Sequence, residues 1–296
     1  MNPLTSIYPQ AEDQLQIEIQ TYLSYISLTS SEIKAYNTSF ETLKKCIIKF
    51  YSASRVFLTG SLASNLAFYG ADLDFTVTNI KIGDVYKALK NETMCEFINC
   101  SHPIVKGTIH NIKFDVSHSG IQVLNDVENN KNLPILIKNL IQILRQIMRS
   151  QSIDKLREGG MSSYLLIQLI KAFISEKQQS EDLSTLLKKF LKFYGCKFDC
   201  KVQQIQDGRI QDRNYIFQPL KQFPERRAPD IVIIVGKIEI GGSITNWDKI
   251  QQTFKTCYNN LKIKSGNILS SIITIDQDAE DLRSKMQKSG SKEDEK

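Results

Sequence analysis

Apolar residues recur at helical spacing over 30–53, SSEIKAYNTSFETLKKCIIKFYSA, where Ile33, Tyr36, Phe40, Leu43, Ile47 and Phe50 share one face. Ser30 or Ser31 can cap this helix. The period then drops to two, and strands are expected at 56–59, 72–78 and 111–117. IGDVYKALKNE reads as a helix between the last two. After Gly120 the pattern is mostly helical. Pro134 suits the first position of a helix over 134–149, with Asn132 as its cap. A second helix, MSSYLLIQLIKAFI, follows the Gly159-Gly160 break, and a third, DLSTLLKKFLKFYG, is closed by Gly195. Residues 201–228 look polar and irregular. DIVIIVGKIEI reads as β with a turn at Gly236, and NWDKIQQTFKTCYNNLKI as a last amphipathic helix. From Asp276 the tail has too few apolar residues to fold.

A chain of 296 residues is long enough for two packed domains. With 41% hydrophobic and 24% charged residues its composition is that of an ordinary soluble protein. No apolar run approaches the roughly 20 residues of a membrane span. The N-terminus lacks the basic start and apolar middle of a signal peptide, so a cytoplasmic or nuclear protein is expected. Its six cysteines are scattered, with no Cys-x-x-Cys, and read as buried or idle thiols in a reducing compartment. The net charge is +6, but residues 276–296 carry seven acids and five bases, which leaves +8 on the first 275 residues. That excess suits a polyanionic partner.

The chemistry lies in VFLTGSLASNLAFYGADLDFTV, residues 56–77. By alternation Leu73, Phe75 and Val77 point one way, and Asp72, Asp74 and Thr76 the other. In IKFDV, Ile112, Phe114 and Val116 point inward and Asp115 outward. If the two strands are neighbours, three carboxylates converge on one open sheet face. Carboxylates at bonding distance repel one another unless a cation joins them, and hard divalent ions with oxygen ligands fit that role. Gly60 lets the backbone approach a phosphate, and the helix starting near Ser61 directs free N–H groups at an anion. Ser61 can cap that helix, bind a phosphate oxygen, or do both. A lone Asp-x-Asp is most simply a solvated strand face, and a lone Gly-Ser a helix cap. Their combination, with Asp72 eleven positions after Ser61, points to catalysis.

GSLASNLAFYGADLDF resembles the Gly-Ser…Asp-x-Asp signature of the DNA polymerase β-like nucleotidyltransferases. HPIVKGTIHNIKFDVS and LIQILRQIMRSQSIDKLREGGMSSYLLIQLIKAFI are similar to segments of the noncanonical poly(A) polymerases and terminal uridylyltransferases. The second contains the family's Gly-Gly-x-Ser-Ser-Tyr, and the likeness runs from about residue 35 to 262. The resemblance implies an α+β fold: a mixed-sheet nucleotidyltransferase domain over 46–119, packed against a mostly helical central domain over 120–275. Residues 1–45 would contribute to the central domain, 276–296 would be a disordered tail, and the NTP would sit in the cleft between the domains. It implies that Asp72, Asp74 and Asp115 bind two Mg2+ ions, with Mn2+ able to substitute. Gly60 and Ser61 would bind the triphosphate, and Ser163 and Tyr164 would contact the nucleotide, the tyrosine ring stacking on the base. The family usually has lysine where this chain has Arg145, and often a second basic residue near Arg149. These two are four apart on one helix face, so both could meet a triphosphate.

Departures from the family pattern bear on base choice. Val235-Gly236 stands where Asp-Pro is usual, Gly241 where some uridine-selective members have histidine, and Ser119 where an asparagine follows the third Asp strand. Base choice stays open between ATP and UTP, with overall likeness leaning toward the adenylating branch. The implied activity is template-independent addition of AMP or UMP to RNA 3′ ends. A non-RNA acceptor and an inactive scaffold subunit are the alternatives. No RNA-binding module is legible, so a partner protein of an RNA-surveillance or RNA-silencing complex is expected to supply the RNA. No membrane association is expected.

Overall fold

The computed structural model describes residues 14–100, 102–118, 121–175, 182–216, 228–262 and 267–284 except 278 and 282. The elements in chain order are α1 (Gln14–Ile26), α2 (Ser30–Phe50), β1 (Arg55–Leu58), α3 (Gly60–Ala63), β2 (Leu73–Thr78), α4 (Ile82–Leu89) and β3 (Met94–Ile98). Next come β4 (Ile104–Ile109), β5 (Ile112–His118), α5 (Ile121–Lys131), α6 (Ile135–Ser150), α7 (Ser163–Ser175) and α8 (Leu183–Cys196). The last are β6 (Gln203–Gln206), β7 (Arg209–Asp212), β8 (Ile233–Val235), β9 (Ile238–Glu239) and α9 (Trp247–Asn260). Contacts divide them into two units. One holds the chain up to Tyr25 with Asn139–Thr274, the other Ile26–Lys138 with the residues from Ile275 on.

The second unit is built on a five-stranded sheet in the order β1-β2-β5-β4-β3. Only β2 and β5 run parallel; the other pairs are antiparallel. Alternation works as read: Leu73, Phe75, Val77, Ile112, Phe114 and Val116 are all buried. Thr76 departs from it. Its hydroxyl donates to the Ser117 carbonyl at 3.0 Å, so it is buried on the polar side of the strand pair. Helix α2 packs on this sheet, inserting Tyr36, Leu43 and Ile47 into its core. Residues from Ile26 to 45 therefore belong to this unit rather than to the helical one, contrary to the boundary read from sequence. The α2 cap is Thr29, closed by a capping box with Glu32, and not Ser30 or Ser31. The tail also differs from expectation. Its described residues between 277 and 284 are helical, and residues 285–296 lie outside the described part.

The other unit gathers α1, α6, α7, α8 and α9 beside a four-stranded sheet, β7-β6-β8-β9. Buried Glu18 of α1 accepts from the N–H groups of Ile268 and Leu269 at 3.2 and 2.6 Å. The irregular reading of 201–228 fails over its first half. Asp207 and Gly208 have φ of 48° and 72° and turn β6 into β7. Gly236, with φ 61°, turns β8 into β9 as expected.

Gly195 does not end its helix. It lies inside α8, where an added Cβ would sit 2.5 Å from the Lys255 nitrogen of α9. Gly195→Ala should therefore cost about 1–3 kcal/mol through overpacking. An exposed helical glycine would instead gain from the same change. Urea denaturation monitored by far-UV circular dichroism reads the sign.

Candidate active site

The site starts from the turn after β1. Thr59 donates its N–H to the Asp74 carbonyl at 2.9 Å, which holds the turn against β2. Gly60 follows with φ 65°, a left-handed conformation that glycine adopts without steric cost. Its hydrogen faces the Asp74 carboxylate so closely that a Cβ there would overlap Asp74 Oδ2. The single turn α3 is locked by Ser64, whose N–H and hydroxyl both donate to the Gly60 carbonyl, at 3.2 and 2.9 Å. Ser61 is half-buried in this turn.

Asp74 and Asp115 are register partners on parallel β2 and β5, so their side chains leave the same sheet face from adjacent strands. Both are half-buried. Asp72 is exposed two positions earlier, just before β2 begins. Asp72 and Asp115 line an open cavity of about 420 Å³ together with Glu96, Lys106 and Lys113. Asp115 Oδ2 accepts from Lys106 Nζ at 2.6 Å, across the antiparallel β4–β5 pair. The side chains of this ion pair are 42% and 30% exposed, so it contributes at most about 1 kcal/mol and the ammonium can leave without unfolding the sheet. On the approach to Asp72, the Tyr36 hydroxyl donates to the Ala71 carbonyl at 2.6 Å. Burial, then the charges of Glu32 and Asp72, push this phenol well above its usual range.

Arg145, Arg149, Ser163 and Tyr164 lie in the other unit. Both arginines are half-buried on α6, whose apolar face buries Leu140, Ile141, Leu144, Ile147 and Met148. Ser163 is exposed and Tyr164 half-buried in the first turn of α7. Ser162 caps that turn, its hydroxyl accepting from Leu165 N at 3.3 Å. The two preceding glycines are required sterically. Gly159 has φ 80°, and a Cβ on Gly160 would sit 2.5 Å from the Ile153 carbonyl oxygen. Gly241 is buried, and a Cβ there would overlap the Ile231 carbonyl oxygen, so a larger side chain has no room. Ser119 lies outside the described residues.

No protein-family model matches the chain. It is 22% identical over 214 residues to Poly(A) RNA polymerase protein 2 of Saccharomyces cerevisiae, covering 64% of this chain and 37% of that protein. It is 25% identical over 226 residues to Poly(A) RNA polymerase protein 1 of the same yeast, covering 66% and 35%. The chain thus spans little more than a third of the length of these curated relatives. Its fold matches the polymerase core of TRAMP, a RNA surveillance complex, with a TM-score of 0.71 and 19% identity over 89% of this chain and 95% of that one. It also matches Cid1 in complex with the UTP analog UMPNPP, with a TM-score of 0.76 and 15% identity over 90% and 100%. The chain is thus similar in sequence to yeast poly(A) RNA polymerase proteins and in fold to solved polymerase and uridylyltransferase cores. It shares the mixed α+β fold of those cores, with Gly60, Ser61, Asp74 and Asp115 in one unit.

Cid1 is also known with Mg 3′-dATP bound. The donor set here fits such a hard cation: it is made of carboxylate oxygens, and an ammonium already rests on Asp115 where positive charge is wanted. Among the described residues, no three His, Cys, Asp or Glu side chains are grouped closely enough to hold a metal ion, so the convergence of all three carboxylates expected from sequence is seen only for Asp74 and Asp115. Lys106 is the participant that sequence reading missed. Its place beside Asp115 depends on the β4–β5 register, which the period of the pattern does not disclose.

Proposed function

We propose that this chain is a template-independent RNA 3′-terminal nucleotidyltransferase, adding AMP or UMP from an NTP to an RNA 3′-hydroxyl. The observation that carries this reading is the pairing of Asp74 with Asp115 across parallel strands, with the Gly60 turn lying against Asp74. Asp72, Asp74 and Asp115 would hold two Mg2+ ions, or Mn2+ in their place. When bound, these ions supply charge for an attacking hydroxyl and a leaving pyrophosphate. The remaining work falls to the chain's own residues. The Gly60-Ser61 turn offers backbone N–H groups to the triphosphate, and a side chain at 60 would overlap the Asp74 carboxylate beside it. Arg145 and Arg149 add positive charge toward the phosphates, and Tyr164 stacks on the base. Such stacking contributes about 1–3 kcal/mol and tolerates any base. Ser163, at the exposed start of α7, contacts the nucleotide beside it. Catalysis is then chiefly positioning and charge neutralisation.

We assign RNA delivery to a partner protein, and the activity to the cytoplasm or nucleus. The resemblance to the polymerase core of an RNA surveillance complex supports the first. No described helix is long and apolar enough to cross a membrane. The deciding experiment incubates the chain with a short RNA, Mg2+ and each NTP in turn. Extension of the 3′ end with ATP or UTP is expected, and no extension with any of the four would refute the reading. Transfer of the nucleotide to a non-RNA acceptor would favour the alternative enzyme.

A further inference from the structure

The described residues between 276 and 284, which the sequence pattern leaves unfolded, return to the unit that carries the carboxylates. Asp276 starts a helical segment there. Its Oδ1 accepts from Ala279 N at 3.1 Å, and its carbonyl accepts from Glu280 N at 3.1 Å. This segment lies directly on the loop that leads into Asp72. Gly70 has φ 73°, and a Cβ built on it would be 2.9 Å from the Ala279 Cβ, so the helix and the loop touch through their smallest residues. Ala279 is 5% exposed in consequence.

One turn later, Arg283 reaches under the loop. Its Nε lies 3.0 Å from Glu32 Oε1, and its Nη2 donates to Glu32 Oε2 at 3.3 Å and to the Ser27 carbonyl at 3.0 Å. Its guanidinium carbon is 4.9 Å from the centre of the Tyr69 ring. Glu32 is 2% exposed and the Arg283 side chain 13%. A carboxylate so buried needs a paired cation, and the forked guanidinium meets both of its oxygens. The same Glu32 Oε2 accepts from Thr29 N at 2.7 Å, closing the cap of α2. Helix α2 supplies Tyr36, whose hydroxyl holds the Ala71 carbonyl, while Tyr69 N donates to the Ile26 carbonyl at 3.0 Å. Residues 69–71 are therefore clamped from one side by α2 and from the other by Ala279 and Arg283. Asp72 is the next residue, and Asp74 follows it into β2.

We infer that Arg283 is a positioning residue for the carboxylate site, and that the helical segment from Asp276 to Arg283 is a structural part of the unit that carries it. Its Glu32 and Tyr69 contacts fix the 69–71 loop and so set the height at which Asp72 and Asp74 meet the sheet face. This inference rests on the nucleotidyl-transfer reading for its consequence in activity, and on the contacts alone for its consequence in loop order.

The test uses the full chain with Arg283→Met, Arg283→Lys, Glu32→Gln and the Arg283→Met/Glu32→Gln double variant. Misplacing reacting groups lowers turnover more than nucleotide binding, so Arg283→Met should reduce kcat for primer extension by about tenfold with KM for the NTP changed less than about twofold. Arg283→Lys keeps the charge but not the fork, and should recover part of that loss. The second readout is amide hydrogen exchange over residues 66–74, expected to rise by about tenfold in Arg283→Met and to return toward wild type in Arg283→Lys. In the Glu32→Gln background, Arg283→Met should change exchange and kcat by less than about threefold. Wild-type kcat together with wild-type exchange in Arg283→Met overturns the inference, as does a kcat loss no larger than the fraction of unfolded protein. If the wild type extends no primer, the functional reading fails, and the exchange rates alone decide whether the segment clamps the loop.

Discussion

Asp74→Asn should lower RNA extension by about three orders of magnitude, the scale expected when one preorganised charge is removed from a reacting centre. The folded chain should lose little. Asparagine has the same shape, and the strand hydrogen bond from Thr59 uses the backbone carbonyl of residue 74. Removing one of two carboxylates that face each other across β2 and β5 also relieves repulsion, so the urea midpoint should hold or rise. Asp74 and Asp115 leave adjacent strands in register, so the two are expected to act as a unit. An Asp74→Asn/Asp115→Asn variant should then be scarcely worse than either single change. Single-turnover extension with a labelled primer and urea denaturation of the same preparations make the comparison. Activity within about tenfold of wild type would place the chemistry elsewhere.

The second large effect falls on a residue with no side chain. Gly60→Ala places a Cβ on the Asp74 carboxylate and asks an alanine to hold φ 65°. The backbone strain alone costs about 1–2 kcal/mol. The overlap forces either the turn or the carboxylate to move, and displacement near 1 Å at a reacting centre costs about a hundredfold in rate. Gly83→Ala is the matched control. It lies in α4 with open space around its Cβ position, so helix propensity should make the chain more stable by up to about 1 kcal/mol, with extension unchanged. Opposite signs of stability change at the two glycines, with activity lost only at Gly60, are the expected pattern.

The carboxylate strands were legible because each has one face in the core and one outside it. Leu73, Phe75, Val77, Phe114 and Val116 are buried at every second position, which points Asp74 and Asp115 the other way. That β2 and β5 are neighbours is a different kind of fact. Two intervening strands had to pair outside them, and these carry no clean alternation. Met94 and Phe97 are exposed on the edge strand β3, and Lys106 and Gly107 interrupt β4. Lys106 meets Asp115 only because His110 and Asn111, with φ of 48° and 63°, turn the chain in that register. Asp207-Gly208 was a readable turn signal hidden in a polar stretch. Gly195 shows the limit of the helix-stop rule. The approach of α9 demands a glycine there, and nothing local distinguishes that from a cap. The tail was misjudged for a related reason. Among the described residues its attachment runs through the Arg283 guanidinium, bonded to Glu32 and Ser27 and lying over Tyr69, and through the Gly70–Ala279 contact, none of which needs a run of apolar side chains.

The reaction we propose is nucleotidyl transfer to a free RNA 3′-hydroxyl at the Asp72, Asp74 and Asp115 face. Pyrophosphate released by the wild-type chain should therefore be counted against nucleotides added, using one RNA with a 3′-hydroxyl and the same RNA ending in a 3′-deoxynucleotide. The predicted result is one pyrophosphate for each nucleotide added to the hydroxyl-ended RNA, and none with the deoxy-ended one. Equal pyrophosphate release from both RNAs would contradict it.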